Sequence, residues 1–526
     1  MTILALIPII CLFICLVGVK LSVAKSGLVS LIIALIIAFV FYGFTPFGLA
    51  VAAGKACWLA LFVSLIVWCA LLLYHLVSDF GAIEVINKNV AILVKDEFAA
   101  FLLLGWCFTG LLQGIAGFGI PSVIVAPILI SLGFSPVKSL AAPLIGHSWS
   151  VTFGSMGAAF FVIHGITDIP EVELALPMWM FNAVTILGTG IGLCFVYNGF
   201  KGIKKGISYV LPVAAAMSGA QFLAVTFGMY SIASIITGLA GATTMFLLYK
   251  LRYKSGKTAA VSEKSEESET IEKGDKPKLN LLQAVLPYAL ILVLLLSFQF
   301  IPKSVRDGVA LAPSFPETST TLEVGHTAAS ETNYNPIRLL VHPALVLLIA
   351  ALAACIIYKK AGIFSGKTFG SAAKKTVKKG IPATLALLAF GNMSLVMMDS
   401  GQMFQLAQTV ANLTGKFYPL VSPYIGVLAT FLTGNNTNSN VMFGDFQYTV
   451  ARELGMSGAV MSAAQSIAGG LGCSIASTLI FMAALTTNQP EKVPVILKKL
   501  IPITCIIAGG MGLLNFILLG VFQYGA

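Results

Sequence analysis

Two interrupted apolar segments carry the residues that could bind a ligand, and the first reads GLLQGIAGFGIP at residues 110–121. Glycine weakens a helix and proline removes one of its backbone hydrogen bonds, so this stretch predicts a break. In hydrocarbon, the backbone groups freed by a break are tolerated only where protein or a water-filled cavity satisfies them. A broken glycine-rich segment therefore indicates a binding site. The residues expected to form it are Gln113, Gly114, Gly117 and Gly119.

The second interruption is a polar run of threonine, serine and asparagine, FLTGNNTNSN, at residues 431–440. It lies inside an apolar stretch, 417–452, that is too long for one membrane span of about 20 residues. On its own, this run is equally consistent with a solvated loop that caps a helix. Its pairing with the first break favours a site, whose expected members are Thr433, Asn435, Asn436, Thr437, Asn438 and Asn440.

Neither break contains an arginine or a lysine. Helix N-termini carry partial positive charge, so half-helices that begin at the two breaks would favour a small anion such as a carboxylate. Anion binding would then rest on backbone amides, hydroxyl groups and asparagine side chains. These residue types predict a site for a small organic anion near the middle of the bilayer.

Three ionisable residues, His147, Asp399 and Asp445, lie within or at the edge of the same apolar regions. Ionisable groups are costly in a membrane, which makes each a candidate for function. We expect Asp445 and Asp399 to bind a coupling ion or proton, the alternatives being a structural ion pair for Asp445 and a helix end for Asp399. His147 and Ser148 are expected at the substrate site; the alternative for His147 is an interior histidine hydrogen-bonded to a neighbour.

His147 and Ser148 belong to a small, hydroxyl-rich stretch, GHSWSVTFGSMG, at residues 146–157. A similar stretch, SIAGGLGCSIAS, follows the second break at residues 466–477. The break and the stretch after it therefore occur twice in the same order. This parallel predicts an internal repeat.

The composition is that of a protein that crosses the membrane many times. Of the 526 residues, 58% are hydrophobic and 10% are charged, whereas a soluble domain is about 25% charged. The net charge of +11 comes from lysine and arginine gathered in a few short loops. This distribution indicates membrane topology rather than nucleic-acid binding. The nine cysteines lie in apolar segments and indicate no disulfide framework.

Basic residues set the expected topology. Segment 359–380 carries seven lysines and no acidic residue, which predicts a cytoplasmic location. The surrounding spans, among them 57–77, then give about 12–14 membrane segments, with both termini and a Pro/Ser/Thr-rich loop near 302–338 outside. The broken pair at about 98–134 opens inward and that at about 417–452 opens outward, as in an inverted-topology repeat.

The expected fold is therefore an all-α polytopic membrane protein in two inverted-topology halves, each with a broken or re-entrant helix pair. The N-terminal membrane half comprises residues 1–250 and the C-terminal half 281–526. A charged segment, 251–280, is expected to link them in the cytoplasm.

Enzyme and cofactor signatures are absent from the sequence, which holds no His-Glu-x-x-His motif, Walker loop or Cys-x-x-Cys pair. Gly455-Met-Ser457-Gly458 would suit a membrane serine protease, but it directly follows a charged pair. Ser457 is therefore expected to cap a helix at the surface. We expect no enzyme activity, no cofactor and no metal. A passive anion channel remains an alternative, because irregular backbone also lines pores.

Residues 113–121 are followed by Leu132-Gly-Phe134, and residues 431–440 by Phe443-Gly444. These motifs resemble the paired signatures of the bacterial L-lactate permease family, in the ion-transporter superfamily, and the resemblance covers about residues 57–520. It implies a secondary transporter of the bacterial cytoplasmic membrane that imports L-lactate, glycolate or a related 2-hydroxy monocarboxylate. The implied partners are this small organic anion, a coupling H⁺ or Na⁺ and the lipid bilayer, with a homo-oligomer left open and no nucleic acid.

The chain departs from the family pattern at three positions. Gln113 stands where many relatives have Glu, Asn436 where they have Asp, and Cys473 where Lys is common. Asp445 is an extra acid that could replace one of the missing carboxylates. We hypothesise a divergent member that works by cation-coupled symport with alternating access. Its cargo would be a 2-hydroxy monocarboxylate or, alternatively, a different carboxylate or a sulfonate.

Overall fold

The computed structural model describes residues 2–15, 19, 21–86, 96–115, 117, 119–254, 279–299, 301, 302, 305, 308–322, 326–340, 342–487 and 489–524. Most of the predicted charged linker, residues 255–278, lies outside this set. Across the described residues the chain is almost entirely helical, and the helices are joined mainly by short turns.

The described helices of the N-terminal half run from α1 to α9. They are α1 (Thr2–Phe13), α2 (Val23–Phe41), α3 (Pro46–Asp79), α4 (Glu97–Ile115), α5 (Ile120–Ser131), α6 (Pro136–Gly146), α7 (Ala158–Thr167), α8 (Glu171–Thr226) and α9 (Ala233–Lys254). Two of them are irregular. α4 contains a π-helical stretch, Leu103–Phe108, and α8 is kinked where Asn198 and Gly199 leave helical geometry.

The described helices of the C-terminal half run from α10 to α18. They are α10 (Leu281–Gln299), α11 (Pro343–Lys360), α12 (Gly366–Asp399), α13 (Gln402–Thr414), α14 (Tyr418–Thr433), α15 (Asn436–Glu453), α16 (Gly458–Gly472), α17 (Ser477–Thr486) and α18 (Val493–Phe516). In the described part of the chain, nine helical segments are long and apolar enough to cross a membrane, with shorter apolar helices between them. The expected all-α polytopic fold is confirmed.

In the predicted loop between α10 and α11, residues 308–322 and 326–340 form an antiparallel ribbon, which we call the β-ribbon. β1 (Ala310–Leu311) pairs with β4 (Ile337–Arg338), and β2 (Thr318–Ser319) pairs with β3 (Thr327–Ala328). An isolated bridge between Phe315 and Glu331 lies between these two ladders. The Pro/Ser/Thr-rich composition predicted a loop but not this pairing, because the strands are only two residues long.

Each of the two breaks is the turn of a helical hairpin, and its tip is a glycine in the left-handed conformation. Gly119, with φ +79°, separates α4 from α5, and Gly434, with φ +73°, separates α14 from α15. A residue with a Cβ is strained at such φ values, which explains glycine at both tips. The two breaks therefore lie where the sequence predicted them.

A broken helix follows each hairpin. α6 and α7 are joined by non-helical backbone and short 3₁₀ turns at 147–157, and α16 and α17 by residues 473–476. The order of hairpin and broken helix is thus the same in both halves. The inverted orientation of the halves stays a prediction.

α3 and α12 form a pair of long neighbouring helices that are tied at several levels. At one end Lys375 Nζ lies 2.6 Å from Asp79 Oδ1, and nearer the middle Trp68 Nε1 donates to Thr384 Oγ1 at 3.0 Å. The C-terminal end of α3 therefore lies beside the lysine-rich start of α12. The two ends that the charge distribution assigns to one side of the membrane are adjacent.

α3 starts well before the expected span 57–77. Thr45 Oγ1 accepts a hydrogen bond from Gly48 N, and Pro46 occupies the first turn, a combination that stabilises a helix start. The early start places Lys55 inside the helix, where it is 1% exposed. A buried lysine in an apolar helix requires a charged partner.

Close helix packing yields a first prediction, at Gly146. A Cβ at this position would overlap the carbonyl oxygen of Gly105 in the π-helical stretch of α4. Because backbone must move to relieve the overlap, we expect Gly146→Ala to lower the free energy of unfolding by about 2 kcal/mol or more. The measurement is the melting temperature of the purified protein in detergent.

Gly219→Ala is the matched control, because nothing lies within 4 Å of a Cβ at this helical position of α8. It should leave the melting temperature unchanged or slightly raised, since alanine favours helix over glycine. Equal melting temperatures for the two variants would contradict the packing argument.

Candidate functional site

A small cavity lies where both hairpin tips and both broken helices meet. Its volume is about 20 Å³, and it is lined by Gln113, Gly119, His147, Val151, Gly154, Ser155, Ala158, Ala159, Gly434, Asn435, Thr437, Cys473 and Leu479. None of these described lining residues is a lysine, an arginine or an acid. The cavity is therefore polar but uncharged, and it has room for about one water molecule.

Four helices begin at or next to this cavity. α5 starts after Gly119, α15 after Asn435 and α7 after Gly157, while α17 starts a few residues after Cys473. Each helix start presents backbone N–H groups without intrahelical partners and carries a partial positive charge. The arrangement therefore favours an anion although no basic side chain lines the cavity.

The backbone beside the cavity adopts an unusual conformation. Ser155 has φ +49°, Met156 φ +60° and Gly157 φ +78°, so three consecutive residues lie in the left-handed region. Non-glycine residues in this region are strained, and such residues cluster at functional sites. Gly117 packs directly against this turn, because a Cβ there would overlap Ser155 Oγ. The first hairpin tip and the first broken helix are thus fitted closely together.

Gln113 and His147 supply two polar atoms at the cavity. Gln113 is 3% exposed, and its Oε1 has no hydrogen-bond partner among the described residues. His147 Nδ1 lies 2.7 Å from the carbonyl oxygen of Pro143, so this nitrogen is the donor. In the neutral ring Nε2 is then an acceptor. The cavity therefore offers two acceptors for a hydroxyl group.

The start of α15 is capped by its own side chains. Asn435 Oδ1 accepts from Thr437 N at 2.9 Å. Thr433 Oγ1, at the end of α14, shares its single hydrogen between Ala429 O at 2.9 Å and Asn435 O at 3.0 Å. The capping role that the sequence left open for this run is present. Asn435 and Thr437 also line the cavity, so capping and proximity to the site occur together.

Asn436 and Asn440 join the two halves of the chain instead of lining the cavity. Asn436 Nδ2 donates to Thr152 Oγ1 at 3.2 Å and to Ser466 O at 2.9 Å. Asn440 Nδ2 donates to Ala159 O at 2.9 Å and to Ser466 Oγ at 2.8 Å. A carbonyl oxygen can only accept, so each amide nitrogen is fixed as the donor. Among the described residues, neither Oδ1 then has a donor. These residues hold the second hairpin against the broken helices.

The other predicted site residues pack around the cavity. Gly114 lies against Ile235 of α9, where an added Cβ would be 2.8 Å from its side chain. Ser148 Oγ donates to Ile145 O at 2.7 Å. Asn438 is 5% exposed and lies on α15 between the two anchoring asparagines.

Asp399 and Asp445 do not line the cavity. Asp399 ends α12 and is 1% exposed, and Asp445 lies on α15 and is 7% exposed. Lys55 Nζ lies 3.7 Å from Asp399 Oδ2 and 2.8 Å from Glu331 Oε1 in the β-ribbon. The sequence did not single out Lys55, because the expected span began after it. The sequence did hold a signal for a buried lysine, because Lys55 is followed by an uninterrupted apolar run that could belong to the same helix.

Ser457, on which the serine-protease alternative rested, lies far from His147, the histidine that could act as its base. Ser457 caps α16 and accepts from Val460 N at 3.5 Å, as predicted, but it is 8% exposed because Tyr448 packs over Gly458 beside it. His147 lies at the cavity, near Cys473 at the opposite end of α16. A 15-residue helix is about 22 Å long, so the serine and the histidine cannot act as a pair.

Hairpin tips that meet broken helices within a multi-span bundle are an arrangement typical of secondary transporters. The sequence model of the L-lactate permease family matches residues 1–522. The chain therefore belongs to the L-lactate permease family. The resemblance that the two motifs carried is confirmed across nearly the whole chain.

Named relatives align over almost their full lengths. The glycolate permease GlcA of Escherichia coli K12 is 26% identical over 98% of this chain and 95% of the relative. The L-lactate permease of Streptococcus iniae is 26% identical over 86% of this chain and 91% of the relative. The L-lactate permease of Bacillus subtilis is 25% identical over 93% of this chain and 90% of the relative. Among solved structures, the YdaH transporter of Alcanivorax borkumensis is 14% identical with a TM-score of 0.44, over 86% of this chain and 84% of that one. Identities near 25% agree with a divergent member.

Asn440 provides a prediction about how the site is held together. Asn440→Ala removes two buried hydrogen bonds and leaves Ala159 O without this donor. We expect a loss of about 2 kcal/mol in the free energy of unfolding. The measurement is thermal unfolding of the purified variant in detergent.

Asn438→Ala is the control, because its side chain has no hydrogen bond within the described structure and it lies on the same helix. It should change the melting temperature by much less. A destabilisation as large as that of Asn440→Ala would show that the anchoring bonds are not the cause.

Proposed function

We propose that this protein is a secondary active transporter for a small 2-hydroxy monocarboxylate such as L-lactate or glycolate, coupled to H⁺ or Na⁺. The observation that carries the proposal is the cavity at which four helices begin and at which Gln113 and His147 offer acceptors. The names of the glycolate and L-lactate permeases among the relatives support the same substrate class.

The two functional groups of a 2-hydroxy acid match the two kinds of polar group at the cavity. The carboxylate would be bound by the N–H groups of the helix starts, as anions are in other proteins. The hydroxyl would donate to Gln113 Oε1 or to His147 Nε2. An anion without the hydroxyl would leave these acceptors unpaired, and unpaired buried acceptors cost binding energy.

The small volume of the cavity supports a carrier. A volume of about 20 Å³ holds roughly one water molecule, so a carboxylic acid enters only when the surrounding elements separate. We infer that the two hairpin-containing halves move relative to each other and expose the site alternately to each side. An open passive pore would instead require a continuous wet path.

Buried carboxylates away from the substrate are the basis for coupling. Asp399 and Asp445 lie outside the cavity, yet Asp445 is on α15, whose first residues border it. We propose that these acids carry the coupling proton or bind the coupling ion. With the lysine-rich segment in the cytoplasm, the β-ribbon faces outward, and both termini are outside a bacterial cytoplasmic membrane.

The first test is uptake of radiolabelled L-lactate and glycolate into proteoliposomes under an imposed proton or sodium gradient. We expect saturable, gradient-driven uptake and counterflow, which distinguish a carrier from a channel. Pyruvate and acetate, which lack the hydroxyl, should compete less well. Absence of uptake and counterflow for every 2-hydroxy acid would overturn the proposed substrate class.

Thr437 gives a prediction within the cavity. Thr437→Val keeps the shape of the side chain but removes the hydroxyl that would donate to the substrate carboxylate. A hydrogen bond to a charged group contributes about 1.5–3 kcal/mol. We therefore expect KM for the substrate to rise about tenfold or more. The measurement is the concentration dependence of initial uptake in proteoliposomes.

Thr430→Val is the matched control. Thr430 is fully buried on α14, its hydroxyl has no partner among the described residues, and it does not line the cavity. The variant should transport with the KM of the wild type. A similar rise in KM for both variants would place the effect of Thr437 in packing rather than in substrate contact.

A further inference from the structure

A buried charge cluster connects α3, α12 and the β-ribbon. Lys55 Nζ lies 2.8 Å from Glu331 Oε1 and 3.7 Å from Asp399 Oδ2, so it is in direct contact with the first and at the limit of an ion pair with the second. The side chains of Lys55 and Asp399 are 1% and 0% exposed, whereas Glu331 is 28% exposed. Neither oxygen of Asp399 has a hydrogen-bond partner among the described residues.

Charge balance makes the proton and Lys55 alternative partners of Asp399. One ammonium group faces two carboxyl groups, so it cannot neutralise both. An isolated ionised carboxylate is strongly disfavoured in a dry interior, and Asp399 must therefore be either protonated or paired with Lys55. Glu331 can tolerate the loss of its partner because water reaches its side chain.

We propose that Lys55, Asp399 and Glu331 form the proton-binding switch of this transporter. Asp399 accepts the proton, and Lys55 pairs with Glu331 when Asp399 is protonated and with Asp399 when it is ionised. The described geometry, with Lys55 nearer to Glu331, corresponds to the protonated form. The inference rests on the proposed function as a coupled transporter and assigns the proton site within it.

The β-ribbon links this switch to the substrate cavity. Four residues after Glu331, Asn335 accepts a hydrogen bond at its carbonyl from Trp58 Nε1 of α3 at 2.9 Å. The Asn335 side chain donates to Gly165 O, near the end of α7, at 2.9 Å. The other end of α7, at Ala158, lines the cavity. Release of Glu331 from Lys55 therefore removes one of the contacts that hold the ribbon segment bonded to this helix of the substrate site.

The titratable groups near the cluster in the described part of the chain do not supply a second cation. Burial lowers the pKa of His326, which packs against Gly401 just after Asp399, so its ring is neutral at pH 7. Burial, Glu331 and Asp399 raise the pKa of Tyr334, so its hydroxyl is also neutral. Asp445 lies within electrostatic range of Asp399 and adds a further negative charge when ionised. Lys55 is thus the cation for which the carboxyl groups compete.

The direct test follows the infrared band of protonated carboxyl groups in purified full-length protein as the pH is raised. Asp399→Asn should remove the Asp399 component, with Asp445→Asn used to identify any band from the neighbouring acid. Lys55→Met removes the competing cation, so the band should persist to a pH higher by about one unit or more. Glu331→Gln frees Lys55 to pair with Asp399, so the band should disappear at a lower pH.

Opposite shifts for Lys55→Met and Glu331→Gln are specific to competition for Lys55. The Lys375–Asp79 pair joins the same two helices at their other ends and is the matched control. Asp79→Asn should leave the band titration unchanged. If Lys55→Met does not fold, Glu331→Gln still tests the competition for Lys55. The Glu331 side chain is partly exposed, so this variant is expected to fold.

Transport measurements form the second arm. Asp399→Asn should abolish accumulation driven by a proton gradient while retaining lactate counterflow at equal pH on both sides. The wild-type pH profile of uptake should move to lower pH in Glu331→Gln and stay in place in Asp79→Asn.

The two arms separate the proposals. The infrared titration needs no substrate, so opposite shifts support the switch even if no 2-hydroxy acid is carried, whereas failed transport alone overturns only the proposed function. A titration of the carboxyl band that is unaffected by Asp399→Asn and Glu331→Gln overturns the switch, whatever the protein transports. Proton-driven accumulation that survives Asp399→Asn also overturns it.

Discussion

The need to satisfy backbone polar groups inside a membrane governs the structure around the cavity. A continuous helix pairs its own N–H and C=O groups, but every helix end leaves several unpaired, at a cost of several kcal/mol each in hydrocarbon. Here four helix starts lie around one cavity, enclosed by neighbouring helices. Some of these N–H groups are paired locally, as Thr437 N is with Asn435 Oδ1. The partial positive charge of the four helix starts still converges on the cavity, so the feature that would destabilise a membrane protein is the basis of the proposed anion site.

The two halves are joined near this cavity by hydrogen bonds between neutral groups. Thr152 Oγ1 donates to Ser466 O at 2.9 Å, and the anchoring amides of α15 contact the same two residues. Interhelical hydrogen bonds in membrane proteins contribute about 0.6 kcal/mol each on average. Such bonds specify one alignment of the halves without holding them irreversibly. Bonds of this strength suit the proposed opening and closing of the site around a substrate.

The sequence predicted the breaks because glycine, proline and asparagine act locally. Gly119 and Gly434 have the backbone geometry that their residue type favours, and Asn435 caps the helix that it begins. Other parts depend on contacts between distant segments. Val151 and Leu479 line the cavity although their side chains carry no polar signal, and the partners of Lys55 lie hundreds of residues away in the chain. The β-ribbon has strands of two residues, too short to show an alternating pattern.

The three departures from the family pattern, Gln113, Asn436 and Cys473, can be explained together by where these residues lie in the structure. Gln113 and Cys473 line the same cavity, where the resembled pattern has Glu and Lys. Replacing an acid and a base together leaves the net charge of the cavity unchanged, whereas losing only one would leave an uncompensated buried charge. Asn436, which replaces Asp, uses its amide nitrogen to donate to Thr152 and to the carbonyl of Ser466. A carboxylate could not donate these bonds, so the asparagine is part of the contact between the halves. Under the proposed function, the neutral site would depend on helix starts for anion binding, and the ionisable chemistry would lie at Asp399, Asp445 and Lys55.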